Sequence, residues 1–476
     1  VYKRQTVYNR NHVIMENGFG LFGDDSSTQS AIVVPKPDDP NIYYIFTVGS
    51  NQNPTGLKYS IVDITLDNGL GAITSKNINL LNNCAEKISA VLKDCQSGII
   101  WVMGFGDATG NGAPYTSFHA FQVSSTGVNT NAVVSTLPNL NITDARGYLK
   151  FSPDATMLAC ANVQSGMYLF DFDSETGIVS NQRFLSIQSQ ANRPYGVEFS
   201  PSSEFLYVAT TNDFFSGTAA DDDPASHQSA LIQYNTTVTN ISATQVVIDD
   251  RQLFRGGLQL GPDGKIYRAL SSTYNEGLSF LGVINNPNEL GLACNYTHNA
   301  VNLGNNKSTQ GLPPFITSFF TERIDIINNG NSSIFLPLCD GENYTLTAEN
   351  IPGATYTWFF NETIIPNDDF DLEVNEEGTY EVLIELNTGE CETQEGEAVV
   401  QYFPYPTAYQ PEDINICDDN NDGFFNFDFT IQDETVLGNQ QHSGYSIYYF
   451  ENENDADARI QPERLFPSFP QLRKSP

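Results

Sequence analysis

Gly147-Tyr148-Leu149-Lys150-Phe151-Ser152-Pro153-Asp154, followed by Met157-Leu158-Ala159-Cys160-Ala161, reads as a short strand, a tight turn and a second strand. Proline presets φ for position i+1 of a turn, and aspartate or glycine suits the positions after it. The pattern returns as Tyr195-Gly196-Val197-Glu198-Phe199-Ser200-Pro201 with Phe205-Leu206-Tyr207-Val208-Ala209. It returns again as Gly257-Leu258-Gln259-Leu260-Gly261-Pro262-Asp263-Gly264 with Lys265-Ile266-Tyr267-Arg268-Ala269. Looser copies begin at Ala31 (Ile32-Val33-Val34, then Tyr43-Tyr44-Ile45-Phe46) and at Ser89 (Ala90-Val91-Leu92, then Ile99-Ile100-Trp101-Val102).

With Ala31, Ser89, Gly147, Gly196 and Gly257 as anchors, the spacings are 58, 58, 49 and 61 residues. A strand repeat of that period predicts the blades of a β-propeller, because one such sheet buries too little surface to stand alone. Met167-Tyr168-Leu169-Phe170-Asp171-Phe172 reads as a third strand of its repeat. Val7-Tyr8-Asn9-Arg10 reads as an outer strand whose partners lie upstream, and Phe315-Ile316-Thr317-Ser318-Phe319-Phe320 as a last inner strand. The expectation is an all-β chain: a propeller over residues 6–327, of six or seven blades with the first incomplete.

After Asn328-Asn329-Gly330 the text changes. Cys339-Asp340-Gly341, Tyr356-Thr357-Trp358-Phe359 and Gly378-Thr379-Tyr380, ending at Cys391, predict an immunoglobulin-like sandwich over residues 334–403. A partial third β module is expected over residues 412–476. Two stretches read as foreign to the fold. The opening Val1-Tyr2-Lys3-Arg4-Gln5 has the form of a translated sequencing-library end, so residues 1–5 are expected to be an artefact. The abrupt basic text from Arg459 fits either a frameshift or an ordinary basic tail.

The formal net charge is −35, and no Lys or Arg occurs from Asn331 to Ala458. Such a surface repels phosphate backbones, so nucleic acid is not an expected partner, whereas divalent cations suit it. No run of 18 apolar residues offers a membrane span. The seven cysteines form no CxxC pair and no zinc spacing. Cys339 with Cys391, and Cys84 with Cys95, are disulfide candidates in an oxidising compartment.

Several segments together resemble a known group. Val7-Tyr8-Asn9-Arg10-Asn11-His12, Ile32-Val33-Val34-Pro35-Lys36-Pro37 and Gly311-Leu312-Pro313-Pro314-Phe315 carry the likeness, with Cys417-Asp418-Asp419-Asn420-Asn421-Asp422-Gly423 and Phe427-Asp428. They resemble the large surface proteins of Bacteroidota exported by the type IX secretion system, often labelled gliding-motility-associated, with YVTN-like propellers and type B sorting domains. The resemblance covers nearly the whole chain, to about Ala458. It implies export to the outer surface, and it carries no catalytic residues over.

Asp418, Asn420 and Asp422 stand at alternate positions before Gly423, as in the start of a calcium loop, and Asp428 could add a ligand. Phe429 occupies the place where such a loop has its final glutamate, so a polar turn is the competing reading. Gly18-Phe19-Gly20-Leu21-Phe22-Gly23 matches GxGxxG, but Asp24-Asp25 follow where a phosphate needs positive potential, so a plain glycine loop fits better. Asp221-Asp222-Asp223-Pro224 reads as a solvated loop. No GxSxG or HExxH occurs, and the five histidines are scattered. A lactonase-like propeller hydrolase is the enzymatic alternative, yet Arg193-Pro194-Tyr195-Gly196 lacks the histidine placed nearby in those enzymes. Tyr115, Phe118, Phe214, Phe215 and Tyr274 are expected in blade loops, where ring faces could stack on sugars. The chain is thus expected to be a non-catalytic extracellular protein that binds a glycan or protein ligand, with calcium as the one candidate cofactor.

Overall fold

The computed structural model describes all residues except 1, 4–5, 95–96, 213–216, 321, 329–333, 387–392, 406, 416–423, 427, 441–446, 451, 459–467 and 471–476. The chain is all-β in character and divides into two units, residues 1–323 with 386–394, and residues 324–385 with 395–476. No helix among the described residues is long and apolar enough to cross a membrane.

The described part of the first unit holds five sheets in chain order. The third is the simplest: Leu149–Phe151, Met157–Asn162, Gly166–Asp173 and Ile178–Leu185 pair antiparallel, each with the next. The fourth (Arg193–Phe199, Phe205–Thr211, Ser229–Asn235, Val246–Arg251) and the fifth (Leu258–Leu260, Ile266–Ser271, Gly277–Ile284, Tyr296–Asn302) repeat that order. The second begins with Ile88–Leu92, Ile100–Gly106 and Ser117–Ser124. The first has Ala31–Lys36, Asp39–Val48, Leu57–Asp63 and Ala72–Leu81 as its meander.

The three matching turns close alike. Ala155 N donates to Ser152 O, Ser203 N to Ser200 O, and Gly264 N to Gly261 O, at 3.0, 2.9 and 3.1 Å. The donor residue is left-handed each time, with φ of 58°, 62° and 71°. Only the third turn places glycine there.

Burial explains the composition of the strands. Every residue of Ile100–Gly106 and Phe205–Thr211 is buried, because those strands have sheets on both faces. Fourth strands such as Ile178–Leu185 are largely exposed. Clusters of apolar side chains lie between successive sheets, one of them built on Val197, Phe199, Leu206 and Val208 with Leu169 and Met167 of the sheet before. Each such side chain contributes roughly 1.5–3 kcal/mol when fully buried. The first strands come closest together. A Cβ on Gly196 would stand 2.3 Å from the Gly256 carbonyl oxygen, so this position admits only glycine.

Two expectations at the ends of this unit are corrected. Thr6–Tyr8 is not an outer strand: it lies between Tyr2–Lys3 and Ile14–Phe19, with a partner on each side. Val7 is buried with Met15, Ile45 and Ile73 on the first sheet, which is what draws the segment there. The segment from Phe315 forms no strand; Thr317–Phe319 is a short 3₁₀ turn, and Ile316 is buried between the first two sheets.

In the second unit, Phe335–Cys339 runs parallel to Thr393–Phe403, which is followed in the sheet by Gly378–Glu385, Thr355–Phe360 and Thr363–Ile365. Tyr344–Thr347 and Asp371–Val374 pair separately. Trp358 is fully buried, with Nε1 donating to Asp369 O at 2.8 Å. Tyr380 Oη donates back to Glu376 O at 3.1 Å, the arrangement of a tyrosine corner. In the segment after residue 412, Phe424–Asn426 pairs antiparallel with Ser468–Pro470, and Asp433–Leu437 and Glu453–Ala458 are helical. Both begin with acidic residues, which suit the positive end of a helix.

Candidate functional site

Residues at or just before the first strands, with Gln310 from the segment after the fifth sheet, come together. Gln29 N donates to Glu86 O, Glu86 N to Ala145 O, Tyr148 N to Tyr195 O, and Gly257 N to Gln310 O, all between 2.7 and 3.2 Å. These bonds tie the first four repeats in chain order and the fifth to the segment after it, and a cavity of about 1200 Å³ lies among the loops. Thr28, Glu86, Arg146, Tyr195, Arg255, Tyr274 and Gln310 line it, together with Asp25 and residues 311–316.

Glu86 is buried and held from two sides: Asn51 N donates to Oε1 at 2.7 Å and Thr28 Oγ1 to Oε2 at 3.4 Å. Burial raises its pKa above the ordinary glutamate value, and the Asn51 bond opposes the rise. Arg146 Nε donates to Asp144 Oδ1 at 2.8 Å. Arg255 is 6% exposed and stacks against the rings of Tyr195 and Phe254 at 4.6 and 4.8 Å. Its Nε donates to Gln310 Oε1 at 2.7 Å, and Gln310 Nε2 donates to Tyr274 O at 2.9 Å. Burial lowers the Arg255 pKa, but a guanidinium keeps its proton. Behind the cavity wall, Lys87 is fully buried, and its Nζ donates to Ala161 O at 2.6 Å and Asn162 Oδ1 at 2.8 Å.

The residues expected to face a ligand divide. Tyr274 lines the cavity. Tyr115 and Phe118 do not face solvent: they are 4% and 0% exposed and belong to the core between the second and third sheets, where Phe118 stacks on Phe105 at 4.6 Å. Phe118 lies on a strand rather than a loop, and its neighbouring sheet covers it. Phe214 and Phe215 lie outside the described residues. Asp221, expected in a solvated loop, is 2% exposed and caps its own short turn with Thr218.

Of the calcium candidates, Asp418, Asn420 and Asp422 lie outside the described residues, and Asp428 is exposed and accepts from Thr430 N and Oγ1 at 3.0 and 2.6 Å. Among the described residues no group of three His, Cys, Asp or Glu side chains could hold a metal ion. Cys84 and Cys339 are free thiols, and their candidate partners Cys95 and Cys391 lie outside the described residues.

Glu86, Arg146, Tyr195, Arg255 and Gln310 were not singled out from sequence as site residues. A signal for them was present. Each stands within three residues before a repeat anchor or its glycine: Ser89, Gly147, Gly196, Gly257 and Gly311.

The architecture is that of an all-β chain of repeated antiparallel sheets with a smaller strand unit after it. Residues 413–469 match the Flavobacterium inter-domain disulphide bond domain, a match that runs past Ala458 and fits a Bacteroidota protein. No curated protein matches the chain in sequence. Among solved structures the chain is similar to a candidate 6-phosphogluconolactonase from Bacteroides fragilis, at 11% identity over 53% of this chain and 65% of that one, with a TM-score of 0.33. A second such protein, from Bacteroides uniformis, is 12% identical over 61% of this chain and 90% of that one, with a TM-score of 0.32. Sqt1 of Chaetomium thermophilum is 12% identical over 58% of this chain and 64% of that one, with a TM-score of 0.34. The chain thus spans just under two thirds of the first of these.

Proposed function

We propose that this chain is a non-catalytic binding protein displayed outside a Bacteroidota cell. In this reading residues 6–327 are a β-propeller of six or seven blades, and the following unit is an immunoglobulin-like spacer. The cavity where the repeats converge is the ligand pocket. One observation carries the reading: successive repeats each send a polar or aromatic side chain to a single cavity of about 1200 Å³. A rigid scaffold with converging loops is a common binding platform, whereas a plain stalk has no need of a concave polar pocket. The resemblance to type IX-exported, gliding-motility-associated proteins supports export and adhesion.

The test is a thermal-shift screen of the full chain against a glycan library and extracellular proteins, since a ligand of the folded state raises its melting temperature. A reproducible shift without turnover supports the reading, and its absence across the library removes it. Calcium belongs in the same screen: a shift abolished by Asp422→Ala would support the loop at Asp418, Asn420 and Asp422.

A hydrolase, lactonase-like or acting on polysaccharide, is the second reading. Glu86 favours it, as a buried carboxyl with a raised pKa has the character of a general acid. Product release from a lactone or polysaccharide, lost in Glu86→Gln, would promote it.

A further inference from the structure

We propose that the cavity recognises its ligand through a carboxylate docked on Arg255, and that the ligand is an acidic oligosaccharide of the uronic-acid type. This rests on the cavity being a ligand pocket. Arg255 Nη1 is buried and has no hydrogen-bond partner, and no carboxylate among the described residues forms an ion pair with Arg255. Its neighbour in the cavity, Arg146, is different, because Asp144 pairs with it. Elsewhere in this unit, buried Lys150 and Arg268 have carboxylate partners, and the Nζ of buried Lys87 is bonded to Ala161 O and Asn162 Oδ1. Buried charges are paired in folded proteins because an unpaired one is strongly unfavourable. Arg255 is therefore a guanidinium with no carboxylate in hydrogen-bond contact, Glu86 of the same cavity acting on it only at longer range, and the cavity in front of Nη1 is where a bonded carboxylate would arrive.

The amount of missing charge limits what the ligand can be. One guanidinium lacks a directly bonded carboxylate, and Glu86 and Asp25 line the same cavity. A phosphate group, carrying about −1.5 to −2 charges, would meet repulsion from both carboxylates. A carboxylate brings one charge, and its planar pair of oxygens suits the guanidinium fork. Stacking between Tyr195 and Phe254 fixes the plane of that fork. Around it, the exposed Asn51 and Gln52 of the cavity lining offer hydroxyl-bonding groups, and the Tyr274 ring an aromatic face. The cavity, at about 1200 Å³, exceeds the usual small-molecule range of about 300–1000 Å³, which leaves room for more than one sugar ring.

The test is calorimetric titration of the full chain with trigalacturonate, its neutral methyl ester and inorganic phosphate, on the wild type, Arg255→Gln and Arg255→Lys. Trigalacturonate should bind the wild type, and both the methyl ester and Arg255→Gln should weaken binding roughly ten- to hundredfold, with Arg255→Lys between. Unliganded Arg255→Gln should melt at or above the wild type, because an unpaired buried charge has been removed. Equal binding of the methyl ester, or of trigalacturonate to Arg255→Gln, would overturn the carboxylate role while leaving the pocket standing. Phosphate displacing trigalacturonate at comparable concentration would also overturn it, as would a lower melting temperature in Arg255→Gln. If trigalacturonate does not bind, the inference fails; the pocket itself fails only if the broad ligand screen is silent too.

Discussion

Lys150 and Glu198 meet at 2.8 Å in the interior of the first unit, with side chains 3% and 0% exposed. Lys150 Nζ also donates to Gln259 Oε1 at 2.6 Å, and Glu198 Oε2 accepts from Leu260 N at 2.9 Å. Lys150, Glu198 and Gln259 hold the same place in the three matching repeats, one residue before Phe151, Phe199 and Leu260. Three sheets are thereby joined through one polar contact set.

Removing one member of that pair should be severe. Glu198→Ala leaves a buried ammonium without its carboxylate, at an expected cost of about 3–5 kcal/mol. The double variant Lys150→Met, Glu198→Leu should recover much of the loss, since no charge is then left stranded. Denaturant midpoints of the three proteins check this, and equal losses in single and double variants would contradict it.

The turns suggest a stabilising change. Ala155 is left-handed at φ 58°, where the third repeat has Gly264. A left-handed alanine is strained by roughly 1–2 kcal/mol, part of which glycine loses again through its freer unfolded chain. Ala155→Gly should therefore gain about 0.5–1 kcal/mol, read as a higher melting temperature. The same substitution at Ala161, in a strand, should lower it.

Stability should fall in acid partly through Asp249. Burial pushes this carboxyl up, but bonds from Arg251 and Arg268 outweigh burial and hold it below its ordinary value. A carboxyl lowered on folding adds stability above its unfolded pKa, near 3.9, and that stability is lost as pH falls through the folded value. Asp249→Asn should flatten the acid limb below about pH 4. At neutral pH it should destabilise by roughly 3–5 kcal/mol, because Arg268, 1% exposed, loses its counter-ion. Stability curves from pH 2 to 7 on both proteins decide it.

Native cysteine labelling should be selective. Burial pushes the Cys84 thiol up to about 12 and also raises Cys160 and Cys294. Little thiolate exists at pH 8, and thiolate is the reacting form. Peptide mass spectrometry after iodoacetamide should find these three unlabelled in the native chain and labelled after unfolding. A Cys84 peptide unlabelled in both states would instead reveal a disulfide.

What could be read without coordinates were features coded within a few residues. Strand alternation, the Ser-Pro and Gly-Pro turns and the repeat spacing depend on local backbone preferences, and the corresponding strands and turns lie where the text places them. Phe118 shows the limit. Its residue type suits a core and a sugar platform equally, and only the neighbouring sheet, with Phe170 4.9 Å away, decides for the core. Val7 likewise reads as a strand residue, but its partner strand follows from which apolar face it can cover.

The sequence by itself determined that this chain is a β protein of repeated sheets with a strongly acidic second part. It also put Lys150, Glu198 and Gln259 at one repeat position. Only the tertiary structure decided that these three touch, and that Glu86, Arg146, Tyr195, Arg255 and Gln310 share a cavity. The physical reason is range. Turns and strands are settled by interactions between near neighbours, whereas these encounters join residues many tens apart. They exist only because the sheets bury both faces against one another and so bring the loops before their first strands to one place.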